Sequence, residues 1–85
     1  MKAIESSRNG QKLFTAGLAD GTLDARLIIR NQEDPIWFDV VGRDRLTGGH
    51  ARWAHDSVEL GDTFTITLVD VDPSEVDATS NNATI

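Results

Sequence analysis

The sequence predicts an all-β fold, a small antiparallel sheet of about five strands curled into a barrel or compact sandwich. Short runs of alternating apolar and polar residues, typical of half-buried strands, recur along the chain. Turn signals separate these runs at hairpin-length intervals, and no segment of helical length has the periodicity of an amphipathic helix. A small sheet of this kind must curl or fold over to enclose one core.

The N-terminal residues predict a β-hairpin. Strand-compatible segments at 2–7 and 12–17 flank the pair Asn9-Gly10. Asn-Gly is the strongest two-residue hairpin signal, because both central residues of the turn must tolerate positive φ. A second turn signal, Asp20-Gly21, leads into the next strand.

Alternation indicates the third and fourth strands. Residues 23–30 place charged side chains on one face and apolar ones on the other. After a polar break that contains Pro35, residues 36–43 alternate Ile36, Phe38 and Val40 with Trp37, Asp39 and Val41. Residues 44–57 have little periodicity and two adjacent glycines, which predicts the longest loop, with one helical turn around 51–55. The clearest strand follows at 63–71, where apolar residues alternate with threonines.

The chain of 85 residues is long enough for one domain. We expect residues 1–72 to form it, and residues 73–85, which are small, polar and acidic, to form a flexible C-terminal tail. The expected core consists of the apolar residues on the inward faces of the strands: Ile4, Phe14, Leu23, Leu27, Ile29, Ile36, Phe38, Val40, Phe64, Ile66 and Leu68.

Charge favours a positively charged partner. Fourteen acidic and eight basic residues give a formal net charge of −6, which opposes direct binding of nucleic acid or anionic membranes. From residue 70 onward the chain contains no lysine or arginine, but it contains Asp70, Asp72, Glu75 and Asp77. This segment lacks the glycine that an EF-hand loop needs at its sixth position, so we expect solvated acids rather than a calcium site.

The composition also bears on location. The chain has no cysteine, which suits a reducing compartment, and its longest apolar run is far too short to cross a membrane. We therefore expect a cytoplasmic protein that does not associate with membranes.

Residues 48–62 combine two histidines with Trp53 and three acids, which raises the question of an active site. His50 and His55 are five residues apart, a spacing that places them on opposite faces of a strand and about 140° apart on a helix. Helical zinc sites use spacings of three or four residues. We therefore expect no metal and no cofactor, and we interpret Trp53 as a lid that closes the loop over the sheet edge.

Catalysis by His55 requires a carboxylate that orients the imidazole. The adjacent Asp56 points away on any regular backbone, so Asp39 or Asp44 is the better candidate. Ser57 lacks the Gly-x-Ser-x-Gly setting of an exposed nucleophile, and no cysteine replaces it. The sequence therefore predicts that the protein is not an enzyme.

The stretch "VGRDRLTGGHARWAHDSVELGDTFTITLVD", residues 41–70, resembles a pattern of small uncharacterised bacterial β-rich proteins. The resemblance covers about a third of the chain and carries no functional residue. It implies one structural unit that contains Gly42, Asp44, Thr47, Gly48, His50, Trp53, Leu60, Gly61 and Asp62.

Three functions are consistent with these features. The first is a noncatalytic protein-binding domain for a basic partner, similar to inhibitors, immunity proteins or anti-defence proteins of bacteria or phages. The second is a domain that binds a small ligand or metal through the 44–56 loop, using Asp44, His50, His55 and Asp56. The third is a homodimer paired through an edge strand. The candidate binding residues are Trp37, Asp44, His50, Trp53, His55, Asp70, Asp72, Glu75 and Asp77.

Overall fold

Six β-strands make up almost all regular structure in the computed structural model, which describes residues 1–79. The strands are β1 (Lys2–Arg8), β2 (Gln11–Ala16), β3 (Gly21–Ile28), β4 (Ile36–Asp44), β5 (His50–Val58) and β6 (Phe64–Asp70), followed by a 3-10 turn at Pro73–Glu75. They form two three-stranded antiparallel sheets, in the orders β2-β1-β6 and β3-β4-β5. The all-β prediction is confirmed, but the described chain has six strands instead of five, and they do not close into a barrel. No helix within residues 1–79 is long and apolar enough to span a membrane.

The predicted N-terminal hairpin is confirmed. Asn9 has a φ of 51° and Gly10 a φ of 82°, the positive values that a two-residue turn between twisted strands requires. β1 pairs with β2 on one side and with β6 on the other, so it is the central strand of the first sheet.

The core lies between the two sheets. Its buried side chains come from β2, β4 and β5, and they are Ala16, Phe38, Val40, Trp53 and Ala54. The rings of Phe38 and Phe64 stack with a centroid distance of 4.2 Å and join the second sheet to the first. Phe38 and Val40 are core residues as predicted, since they are 1% and 0% exposed.

The predicted loop at residues 44–57 is wrong, because β5 occupies most of it. Val40 pairs with Ala54 and Val41 pairs with Arg52, so Trp53 is an extra residue that forms a β-bulge. Trp53 and Ala54 are both buried, although neighbours in a regular strand point to opposite faces. The bulge breaks the period of two, and this removed the strand signal from the sequence.

Four predicted core residues are exposed. Ile66 and Leu68 in β6 are 43% and 84% exposed, and Leu27 and Ile29, in and just after β3, are 55% and 63% exposed. Leu68 does lie on the core-facing side of the sheet, as predicted. It is directly opposite Ile4, which is directly opposite the buried Ala16, and opposite residues in paired strands share a face. β3 and β6 are edge strands, however, and the opposite sheet does not cover these side chains.

The residues that follow β6 contact the core and the edge strand β2. Val76 packs against the core, and the Asp77 backbone N–H donates to the Thr15 carbonyl at 2.9 Å. The Thr15 N–H donates to Asp77 Oδ2 at 2.7 Å, and Trp53 Nε1 donates to the Asp77 carbonyl at 2.8 Å. We call residues 70–77 the acidic strap. Of the expected flexible tail at 73–85, the strap portion is thus held against the domain, and residues 80–85 lie outside the described part of the chain.

Candidate functional site

The outer face of the β3-β4-β5 sheet contains a buried carboxylate. Phe38 and Val40 point into the core, so strand alternation directs Asp39 to the opposite face. Only 4% of the Asp39 side chain is nevertheless exposed. A buried carboxylate requires partners that satisfy its charge and its oxygen atoms.

Three cationic or titratable side chains surround Asp39. Arg26 Nη2 lies 3.2 Å from Oδ2, and His55 Nδ1 lies 3.2 Å from Oδ1. Both residues are directly opposite Asp39 in the neighbouring strands, which explains how residues distant in sequence meet. Arg52 Nε approaches Oδ1 at 3.7 Å. We call these four residues, together with Trp37, the Asp39 cluster.

Trp37 restricts the orientation of the His55 ring by stacking on it. The two rings are stacked with centroids 4.5 Å apart and planes 4° from parallel. With Nδ1 next to Asp39, Nε2 is the ring nitrogen that Asp39 does not contact. The structure thus brings together two predicted site residues, Trp37 and His55, and Asp39, one of the two carboxylates predicted to orient the imidazole.

The charge of this face contrasts with that of the whole chain. Strand alternation places Arg43 on the same face as Asp39, and Arg26 and Arg52 contact that carboxylate directly. These three arginines outnumber the aspartates on this face, Asp24 and Asp39. The outer face of the second sheet therefore has one arginine more than it has aspartates, on a protein whose net charge is −6.

An aspartate that orients a histidine is the arrangement of a general base. A reaction of the serine-hydrolase type also needs a nucleophile within hydrogen-bond distance of the imidazole. Ser57 is opposite Trp37 rather than Asp39, and among the described residues no hydroxyl group hydrogen-bonds to His55. The geometry thus provides an oriented imidazole between arginines, which is suited to binding.

The acidic strap is the second candidate surface. Asp72 accepts hydrogen bonds from the backbone N–H and the hydroxyl of Ser74, at 3.0 and 2.8 Å, and its own N–H donates to Glu75 Oε2 at 3.1 Å. This capping box begins the 3-10 turn. The backbone and hydroxyl hydrogen bonds from Ser74 lower the pKa of Asp72 below its ordinary value.

The other strap carboxylates are also held by the domain. Asp70 accepts a hydrogen bond from the N-terminal amine of Met1 at 3.0 Å but remains 89% exposed, and Asp77 accepts from Thr15. All four acids of the strap are in exposed residues. The strap is therefore a fixed row of carboxylates.

Asp62, which the resemblance placed in one structural unit, joins two turns. Its carboxylate accepts from the Asn9 amide at 2.9 Å, from the Glu59 backbone N–H at 2.9 Å and from Arg8 Nη2 at 2.6 Å. The hydrogen bond from Asn9, followed by those from Glu59 and Arg8, lowers the pKa of Asp62 to about 2. The contribution of Arg8 and Asn9 was not predicted, because it depends on two turns that meet only in the fold.

The remaining predicted site residues are structural or separate. Asp44 accepts hydrogen bonds from the backbone N–H groups that follow it, in the β4–β5 turn. Trp53 is 6% exposed and belongs to the core. The bulge brings His50 to the same face as His55, contrary to the expectation of opposite faces, but their partners in β4, Arg43 and Asp39, are four residues apart, which separates the two histidines by about 13 Å.

Within residues 1–79, no three histidine or acidic side chains come close enough together to hold a metal ion. Comparisons with protein-family models, with curated proteins and with solved structures find no match to this chain.

Proposed function

We propose that this protein is a noncatalytic, cytoplasmic protein-binding domain that engages a basic partner through the acidic strap. The observation that carries this proposal is the strap itself. Four carboxylates lie within eight residues that contain no cation, and the segment is anchored to Thr15, Trp53 and the N-terminus.

Anchoring matters for affinity because a fixed segment loses little conformational entropy on binding. The internal hydrogen bonds leave the strap carboxylates able to accept more, since each ionised carboxylate offers about four acceptor positions. The net charge of the chain adds long-range attraction for a basic protein. Small acidic proteins of this sort include inhibitors, immunity proteins and anti-defence proteins of bacteria and phages, and we place this domain in that class.

The test uses a lysine- and arginine-rich peptide as the probe and isothermal titration calorimetry as the measurement. The variant Asp70→Asn/Glu75→Gln removes two strap charges, and the amide oxygens that it introduces can still accept the hydrogen bonds from the N-terminal amine and the Asp72 backbone N–H. It leaves unchanged Asp72 and Asp77, which anchor the turn and the β2 edge. The control Glu33→Gln/Glu59→Gln removes the same charge from exposed residues outside the strap.

We expect the strap variant to bind at least several-fold more weakly and the control to bind like the wild type. The wild-type affinity should also fall as salt rises from about 50 to about 200 mM, because salt screens exposed charges. Equal weakening in both variants would mean that net charge alone attracts the peptide, which would contradict a role for the strap.

The Asp39 cluster favours a second candidate function, the binding of a small anionic ligand. His55 is oriented by Asp39, stacked on Trp37 and flanked by Arg26 and Arg52. Inorganic phosphate is the simplest probe, and its binding would change the fluorescence of Trp37. A response that disappears in His55→Ala but persists in His50→Ala would support this function, whereas no response up to about 10 mM, far above useful affinities, would oppose it.

A further inference from the structure

We infer that β6 is a self-association edge, at which two copies of the chain pair their β6 strands antiparallel about a two-fold axis. The two β2-β1-β6 sheets then form one continuous six-stranded sheet. The two sheets have four edge strands, β2, β6, β3 and β5. β6 differs from the other three in how open its edge is to pairing and in the apolar side chains that it leaves uncovered.

Three of these edges carry features that discourage pairing with another chain. The strap covers the outer edge of β2 at Thr15, through two hydrogen bonds with Asp77, and the exposed part of this strand carries the charged Lys12. β5 contains the bulge at Trp53. β3 carries the charged residues Asp24 and Arg26. Coverage, bulges and charges are the usual means by which proteins protect sheet edges.

β6 has none of these features between Thr65 and Val69. This segment contains no charged residue, no proline and no glycine. Its seven residues pair with β1 without a break in register, so the strand is regular along its whole length. A regular, uncharged edge strand offers its free backbone groups to another strand.

The side chains of β6 point to the same conclusion. Leu68 and Ile66 lie on the core-facing side of the sheet but are 84% and 43% exposed. Leu27, on the edge strand of the other sheet, is 55% exposed. Apolar residues that face the interior of a sandwich and remain uncovered mark a surface at which another chain completes the core.

The β6 segment is complementary to a second copy of itself. With the two-fold axis at Thr67, Ile66 is opposite Leu68 of the partner subunit, and the two Thr67 residues are opposite each other. Apolar and Thr–Thr pairs across strands are favourable. Two copies with a charge of −6 repel each other least along the uncharged segment between Asp62 and Asp70.

Sedimentation equilibrium of the whole chain, from about 1 µM to about 1 mM, tests the inference across the range of weak to moderate affinities. Leu68→Lys places a charge on the edge at a position already 84% exposed, so the monomer fold tolerates it. Leu46→Lys is the matched control, because Leu46 is 80% exposed in the β4–β5 turn. We expect the wild type and Leu46→Lys to dimerise with similar affinity, and Leu68→Lys to be at least ten-fold weaker.

A second measurement tests the register, and it exploits the absence of cysteine from the chain. In the proposed dimer, Thr67→Cys brings two thiols to the Cα separation that a disulfide requires, whereas Thr65→Cys keeps them about 13 Å apart. Oxidation should therefore cross-link Thr67→Cys much faster than Thr65→Cys. A wild type that is monomeric over the whole concentration range, a Leu68→Lys variant that dimerises normally, or equal cross-linking at both positions would each overturn the inference. Monomers that bind foreign peptides would assign the edge to a different partner.

Discussion

His55 Nδ1 lies 3.2 Å from Asp39 Oδ1, across the pair of strands in which these two residues are direct neighbours. Asp39 is almost fully covered although it lies on the outer face of a sheet, and His55 and the arginines beside it provide the cover. This contact ties β5 to β4 on the face opposite the core. Asp39 is thus a buried charged residue that contacts side chains from both neighbouring strands.

We expect Asp39→Asn to destabilise the protein. An amide cannot accept hydrogen bonds from Arg26 and His55 as an ionised carboxylate does, and hydrogen bonds to charged groups contribute about 1.5–3 kcal/mol each. The arginines are half-exposed and can be solvated by water, so the expected loss is about 2 kcal/mol in total. Urea unfolding measures it, with Asp24→Asn, an exposed residue of the same face, as the control. Equal unfolding midpoints for the two variants would contradict the structural role of Asp39.

Deletion of the strap from Asp72 onward should weaken the core. Truncation after Val71 removes the packing of Val76, the contacts of Asp77 with Thr15 and the hydrogen bond from Trp53. With about 1 kcal/mol for each hydrogen bond and about 1 for the half-buried valine, we expect a loss of about 3 to 4 kcal/mol. Urea unfolding measures this loss, and the fluorescence emission of Trp53 should shift to longer wavelength.

Truncation after Thr79 is the matched control, because it leaves all these contacts in place. It should be more stable than the chain truncated after Val71 by about 3 to 4 kcal/mol. If both truncations behave like the wild type, the strap does not stabilise the domain.

Stability should fall at acidic pH because of Asp62. The pKa of this carboxyl in the folded protein is about 2, below the ordinary value of 3.8, so the folded state favours the ionised form. The resulting stabilisation is present above about pH 4 and is lost as the pH falls through about 2. Urea midpoints of the wild type and Asp62→Asn at pH 7, 4 and 2.5 test this prediction. The difference between them should shrink toward low pH, and a constant difference would show that ionisation of Asp62 does not stabilise the fold.

Ser6→Ala should leave the stability unchanged or raise it by about 1 kcal/mol. Ser6 is 0% exposed, and among the described residues its hydroxyl has no hydrogen-bond partner. A buried unsatisfied polar group is unfavourable, and its removal leaves a cavity of only one oxygen atom. Thermal unfolding measures the change, with the exposed Ser57→Ala as the control. A clear loss of stability would show that this hydroxyl is satisfied in solution.

Much of the local structure follows from short stretches of sequence. Asn9 and Gly10 adopt the positive φ values that their turn requires, and the alternation at 36–43 places Phe38 and Val40 in the core. β5 could not be predicted, because the extra residue at Trp53 disrupts the pattern on which strand prediction depends. The Asp39 cluster was predicted only as one of two options for His55, since its members come from three strands whose register depends on the whole sheet.

The sequence by itself determined that Asn9 and Gly10 turn the chain and which side of each regular strand is apolar, because these depend on the φ preferences of single residues and on a period of two. Tertiary structure decided how deeply each apolar residue is buried and which charges meet. Phe38 and Leu68 show the difference, since both face the interior but only Phe38 is in a central strand. Burial and ion pairing depend on what packs above a residue, and only the arrangement of the two sheets and the strap supplies that neighbour.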